Sequence, residues 1–292
     1  MFAGTHTAIV TPFRNHHVDE EALEKLIDFQ FENGVSGIVP CGTTGETPTL
    51  DHDEHEQVIK DSVKFARGRG VVMAGTGSNS TKEAIELTQE AEAAGATAIL
   101  QVAPYYNKPT PEGLFQHFKA IAKATSLPIM LYSIPGRCGI EIGIDVICRL
   151  IEECPNVQAI KEAGGNPERV SQMRQVLPPS FEILSGDDSL TLPFMSVGAV
   201  GVVSVASNLI PRQISDMVKA VLSGDSKTAL AIHQQYYPLF AAFLKLATNP
   251  IPIKTAMALA GHVGPELRLP LVPMEQAKVE ELQATLEALK LL

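Results

Sequence analysis

The chain has 292 residues, 45% of them hydrophobic and 19% charged, with 22 Gly, 20 Pro and no Trp. This is the profile of a globular chain with enough apolar surface for a sizeable core, and it excludes disorder, collagen and coiled coil. Acidic residues outnumber basic ones, 33 to 23, and a formal charge of −10 repels phosphate backbones and anionic lipid, so neither nucleic acid nor a membrane is an expected partner.

Met1–Phe2–Ala3–Gly4–Thr5 has neither the basic nor the long apolar region of a signal peptide. Cys41, Cys138, Cys148 and Cys154 form no CxxC pair, and they read as reduced thiols in a cytoplasmic protein. Short apolar, β-branched runs then recur along the chain. They predict strands beginning near His6, Gly37, Val71, Ala98, Pro128, Val157, Phe181 and Gly201, 20 to 34 residues apart, the spacing of βα units in which each parallel strand needs a crossover helix. Helix signals lie between them: Asp19–Glu21 opening Ala22–Phe31, Thr81–Glu83 opening Ala84–Ala93, and Pro111–Glu112 opening Leu114–Ala124. Gly34, Gly70 and Gly95 are suited to close such helices.

The basic run Lys64–Arg69 suits the end of a helix, where cations meet the dipole. Ser189–Pro211 is uncharged and long enough for a membrane span, yet Pro193, Gly198, Gly201 and Asn208 break a spanning helix, and the segment reads as helix, turn and buried strand. Eight βα units in about 200 residues predict a (β/α)8 TIM barrel, with an open doubly wound sheet as the alternative. From Arg212 onward only helices are expected, over 212–223, 226–246, 252–260 and 274–289. The first completes a catalytic barrel of residues 1–224; the others form a C-terminal helical domain, 225–292.

In such a barrel the reacting groups sit at the C-terminal ends of the strands. Lys161 follows Val157–Ile160 inside an expected buried strand, and desolvation lowers a lysine's pKa, leaving an amine able to attack a carbonyl and form a Schiff base. The alternative is a lysine paired with Glu162. Lys254 is a competitor, expected on a helix surface. Tyr132 lies one strand earlier and offers a phenol for proton transfer, or packing alone. Thr43 and Thr44, in a Gly-flanked turn, supply hydroxyls and backbone N–H groups. Arg137, after Pro135–Gly136, is a forked donor shaped for a carboxylate, or for a surface salt bridge. Tyr105–Tyr106 is an adjacent aromatic pair suited to a subunit or substrate contact.

Other motifs are missing. Gly75–Ser80 lacks the third glycine of a dinucleotide fingerprint, and there is no Walker sequence or Gly-x-Ser-x-Gly elbow. His52 and His55 have no third ligand nearby in the sequence, so no metal is expected.

Read in order, GTTGE (Gly42–Glu46), PYYNKP (Pro104–Pro109), YSIPGR (Tyr132–Arg137), KEA (Lys161–Ala163), SGDD (Ser185–Asp188) and GVVSV (Gly201–Val205) resemble the dihydrodipicolinate synthase family, also called 4-hydroxy-tetrahydrodipicolinate synthase. The likeness spans the whole chain, through NPIPIKTAM (Asn249–Met257) and LRLPLVP (Leu267–Pro273). It implies a class I, lysine-dependent aldolase that is usually a homotetramer of tight dimers, with no cofactor beyond a covalent pyruvate Schiff base on Lys161. It further implies that the enamine attacks L-aspartate-4-semialdehyde, on the diaminopimelate route to lysine. By the same match Tyr132, Thr43 and Tyr106 form a proton relay, Tyr106 reaching into the partner subunit's site. Thr44 holds the pyruvate carboxylate, Arg137 the semialdehyde's carboxylate, and the main chains of Gly186 and Val203 line the pocket.

The family's bacterial members are often inhibited by L-lysine, at positions that here are Thr47, Pro48, His52, His55, Asn79, Glu83 and Tyr105. Two departures stand out: Ser133 and Cys138, where the family often has Asn and Thr. The rival within the same superfamily is N-acetylneuraminate lyase or a 2-keto-3-deoxy-sugar-acid aldolase. Those relatives commonly carry Ser-Thr in place of Thr43–Thr44 and do not usually place an arginine at 137.

Overall fold

The computed structural model describes residues 1–292. All eight expected strands form: β1 (Gly4–Ala8), β2 (Gly37–Val39), β3 (Val71–Gly75), β4 (Ala98–Val102), β5 (Ile129–Ser133), β6 (Val157–Glu162), β7 (Glu182–Ser185) and β8 (Gly201–Ser204). They pair in parallel in chain order, and β8 returns to β1, with Gly4 opposite Gly201, closing the barrel. That closure removes the open-sheet alternative. The seam between β1 and β8 is tight, because a Cβ on Gly201 would lie 2.0 Å from the Gly4 carbonyl oxygen.

Helices return the chain between strands. They are α1 (Glu20–Glu32), α2 (His52–Ala66), α3 (Thr81–Ala93), α4 (Pro111–Ala122), the short α5 (Pro135–Cys138), α6 (Ile144–Glu153), α7 (Pro167–Val176), α8 (Thr191–Ser196) and α9 (Pro211–Leu222). The expected N-terminal signals act as caps. Asp19, Ser80 and Thr110 each accept a backbone N–H of the first turn, and Asp51 with Glu54 forms a capping box on α2. The basic run ends α2 as expected, with Arg67 and Arg69 paired to Asp28 of α1.

The apolar pattern of the strands follows from burial on both faces. Inside the barrel Phe2, Ala8, Val39, Met73, Leu100, Met130, Tyr132, Leu184 and Val203 pack together, with Phe2 fully buried among them. Outside, a 61-residue cluster fills the shell between strands and helices. Ser189–Pro211 resolves into α8, β8 and a 3-10 turn, Ala206–Asn208. No helix is long and apolar enough to cross a membrane. A two-stranded hairpin, Phe13–Arg14 with His17–Val18, was not foreseen, because Asn15 and His16 turn the chain at positive φ without a glycine.

After α9 come α10 (Ser226–Lys245), α11 (Ile251–Leu259) and α12 (Gln276–Ala288), each within two residues of its expected bounds. One expectation is corrected here: Lys254 is not on a helix surface. It is 0% exposed, with its ammonium 2.5 Å from Glu46 Oε1, 2.8 Å from the Glu266 carbonyl and over the Phe13 ring. The apolar neighbours Ile251, Pro252 and Ile253 carry α11 inward, and the ammonium follows because Glu46, at the end of the Gly42–Glu46 loop, is there to pair with it.

Candidate active site

Lys161 lies near the C-terminal end of β6, in register with Tyr132 of β5 and Leu184 of β7. It is 5% exposed, its Nζ lies 4.2 Å from the centre of the Tyr132 ring, and it forms no ion pair. Glu162 does not neutralise it, because successive strand residues point to opposite faces. The Glu162 carboxylate instead accepts Arg169 Nε at 2.8 Å and the Gly164 N–H at 2.7 Å. Space for the lysine comes from Gly186, where an added Cβ would sit 3.1 Å from Lys161 Cε and 2.7 Å from the Ala163 Cβ.

Burial lowers the Lys161 pKa to about 8, against the pull of the Asp188 charge and helped by that of Arg137. At pH 7 about a tenth of the amine is then neutral, against roughly one part in three thousand at an ordinary lysine pKa. Imine formation with a ketone should accordingly rise about tenfold per pH unit below about 8 and level off above it, because only the unprotonated fraction attacks. Rapid-quench reduction of the imine measures this, and a rate flat between about pH 6 and 9 contradicts it. Burial also pushes the Tyr132 phenol up to about 12, opposed by Arg137 and by the neighbouring Thr43 side chain. The phenol therefore stays protonated near neutrality and can lend a proton.

These groups line a cavity of about 260 Å³ that also holds Thr43, Thr44, Arg137, Gly186, Asp187, Asp188 and Asn249. Thr44 is buried and its Oγ1 accepts Asn249 Nδ2 at 3.0 Å. Arg137 pairs with no carboxylate; its Nη2 donates to the Asn249 carbonyl at 3.0 Å and to the Thr248 hydroxyl at 3.3 Å, which leaves the rest of the guanidinium fork for an incoming anion. The side chain of Val203 does not line this cavity. It is packed in the barrel interior with Tyr132, and Val205, two residues on, reaches the cavity instead. Tyr106 is 90% exposed at φ +73 and does not line this cavity.

Asp188 and Asn249 are polar residues of this cavity that were given no role from the sequence. Asp188 is buried and accepts the Ser204 hydroxyl and the N–H groups of Val205 and Ala206 at 3.1 and 2.9 Å, and burial still pushes its carboxyl up to about 6. The acidic doublet after a strand was a visible signal, but not which aspartate turns inward. Asn249 comes from a helical segment where no strand-end rule applies.

A second cavity, of about 440 Å³, is lined by Thr47, Pro48, His52, His55, Glu83 and Tyr105, with Thr43 and Arg137 on its wall. His52 Nε2 lies 3.3 Å from Glu83 Oε1, while His55 Nε2 is held by the Gly75 carbonyl at 2.9 Å. Asn79 does not line it, but Asn79 Nδ2 donates to the Tyr105 carbonyl at 3.1 Å. The departures at Ser133 and Cys138 serve the backbone: Ser133 Oγ accepts the Ile142 N–H at 3.4 Å, and Cys138 Sγ donates to the Ala103 carbonyl at 3.2 Å. No three His, Cys, Asp or Glu side chains converge as a metal site.

A sequence profile described as the dihydrodipicolinate synthetase family matches residues 1–289. The chain is 49% identical over 288 residues to a 4-hydroxy-tetrahydrodipicolinate synthase of Nitratidesulfovibrio vulgaris strain DP4, covering 99% of this chain and 98% of that protein. It superposes with TM-score 0.98 on the 4-hydroxy-tetrahydrodipicolinate synthase of the thermoacidophilic methanotroph Methylacidiphilum fumariolicum SolV, at 53% identity over 99% of this chain and 96% of that one. The enzyme of Cyanidioschyzon merolae, solved with lysine bound, superposes with TM-score 0.95 at 42% identity over 100% and 99% of the two chains.

Proposed function

The chain belongs to the dihydrodipicolinate synthetase family, and from that premise we propose that it joins pyruvate to L-aspartate-4-semialdehyde through an imine on Lys161. One observation carries the reading: a buried amine without a carboxylate partner, beside a protonated phenol, at the catalytic end of a barrel. The neutral amine attacks the pyruvate ketone and water leaves, forming the protonated imine. Loss of a methyl proton gives the enamine, whose carbon attacks the aldehyde and leaves a hydroxyl. The substrate's own amine then displaces Lys161, closing the ring and freeing the lysine.

Tyr132 and Thr43 carry the protons between these steps, and Tyr106 of a second copy completes the relay, in keeping with its exposure in the single chain. Thr44 receives the pyruvate carboxylate. Arg137 receives the semialdehyde's carboxylate, and the main chains of Gly186 and Val203 shape the pocket floor. Residues 225–292 act as a helical domain roofing the site. The protein works in the cytoplasm as a homotetramer, a dimer of dimers, and needs no metal or nucleotide.

The test is a coupled assay in which purified protein, pyruvate and semialdehyde feed an added dihydrodipicolinate reductase and NADPH loss is followed. Steady turnover is expected. Pyruvate trapped on Lys161 without turnover would move the second substrate to a sugar acid.

The cavity holding Glu83, His52 and Tyr105 suits the ammonium of free L-lysine, so lysine acts as a feedback inhibitor there. Titration calorimetry should give saturable heat, weakened about tenfold or more by Glu83→Ala, since a carboxylate–ammonium contact is worth about 1.5–3 kcal/mol. Silence in the calorimeter removes the site.

A further inference from the structure

The turn from α10 into α11 touches the barrel rim at three places. Asn249 Nδ2 donates to Thr44 Oγ1 at 3.0 Å, the Asn249 carbonyl accepts Arg137 Nη2 at 3.0 Å, and Lys254 holds Glu46 at the end of the loop that carries Thr43 and Thr44. Asn249 thus sits between the hydroxyl and the guanidinium that face the two substrate carboxylates. Its remaining side-chain atom, Oδ1, is buried without a partner. A buried acceptor left unpaired calls for an explanation, and functional sites are where such local costs persist.

A threonine hydroxyl has one proton to donate and two lone pairs to accept with. When Asn249 Nδ2 donates to Thr44 Oγ1, that bond occupies a lone pair and leaves the hydroxyl proton free. We propose that Asn249 is a positioning residue for the condensation: its amide nitrogen turns the Thr44 proton into the cavity toward the pyruvate carboxylate, while its backbone carbonyl holds Arg137 over the same space. The unpaired Oδ1 is the local cost of holding the amide in this orientation, with Nδ2 on Thr44. The inference rests on Thr44 as the pyruvate contact. It separates from a packing role because polarity matters: aspartate has the shape of asparagine but only acceptors, so it draws the Thr44 proton away from the substrate and adds negative charge beside an anion.

The experiment is steady-state kinetics on the full-length enzyme with Asn249→Ala, Asn249→Asp, Thr44→Val and the double variant Asn249→Ala/Thr44→Val, each with its Tm. Asn249→Ala should raise the pyruvate KM about tenfold with kcat and Tm little changed, because alanine keeps the backbone carbonyl on Arg137. In the Thr44→Val background the same substitution should change that KM less than twofold. Asn249→Asp should be worse than Asn249→Ala, whereas a packing role gives the reverse order. Equal effects in both backgrounds, or the alanine variant proving the more damaging, overturn the proposal. A pyruvate KM unmoved by Thr44→Val alone removes the parent assignment of Thr44, and this inference with it; a KM raised by Thr44→Val but not by Asn249→Ala removes only this inference.

Discussion

Replacing Lys161 with alanine should abolish condensation, lowering turnover by about 10⁴-fold or more, the scale seen when a covalent nucleophile is removed. Borohydride reduction in the presence of pyruvate should add a pyruvate-derived mass to the Lys161 peptide of the unaltered enzyme and to no peptide of the variant. An unchanged Tm of the variant excludes a general loss of fold, and is expected because a methyl group in place of a buried amine removes a desolvated cation and leaves Tyr132, Asp188 and their partners intact. Appreciable turnover by Lys161→Ala would move the chemistry to another amine, and the buried candidate is Lys254. Its ammonium, however, is paired to the Glu46 carboxylate at 2.5 Å and lines neither cavity, so a ketone has no access to it.

Lys254→Met should lower stability by about 3–5 kcal/mol, because it strands the Glu46 charge in a dry interior. For a chain of this size that is a fall in Tm of roughly 6–20 °C by differential scanning calorimetry. Adding Glu46→Gln should recover most of the loss: glutamine keeps a carbonyl oxygen for the Arg268 N–H, which reaches Glu46 Oε2 at 3.1 Å, and leaves no buried charge. A double variant no more stable than Lys254→Met would show that lost side-chain volume, not stranded charge, causes the damage. The substitution also loosens the anchor of the Gly42–Glu46 loop, so the pyruvate KM should rise along with the fall in Tm.

The barrel was legible because its signal is repeated eight times: each strand is buried on both faces, so apolar runs at a regular interval report it without any knowledge of pairing. Lys161 was legible for a related reason, since a lone cation inside such a run has no comfortable structural explanation. Arg137 and Tyr132 could be placed at the rim, but their chemistry could not be separated from packing or a surface ion pair until the partners were visible. The failures are equally local. Lys254 looked like a surface residue because a helix position says nothing about a carboxylate 208 residues away. Asn249 and Asp188 were passed over because their roles depend on partners from other elements, Thr44 for one and the turn after β8 for the other. Val203 was assigned to the pocket through its main chain, by likeness; its side chain packs in the barrel core, while Val205, past the end of β8, lines the cavity.

The tie between the Gly42–Glu46 loop and the segment from Asn249 to Arg268 also bears on how the enzyme comes into being during synthesis. Thr44 and Glu46 are among the early residues to leave the ribosome, yet their partners Asn249 and Lys254 follow 205 and 208 residues later. The strands and barrel helices are all made by Leu222, so the barrel has its full complement of elements while the Glu46 carboxylate is still unmatched and Thr44 unoriented. A nascent chain therefore carries Lys161 before the loop holding Thr44 and Glu46 is tied down, and that tie forms only when the segment from Asn249 to Arg268 docks.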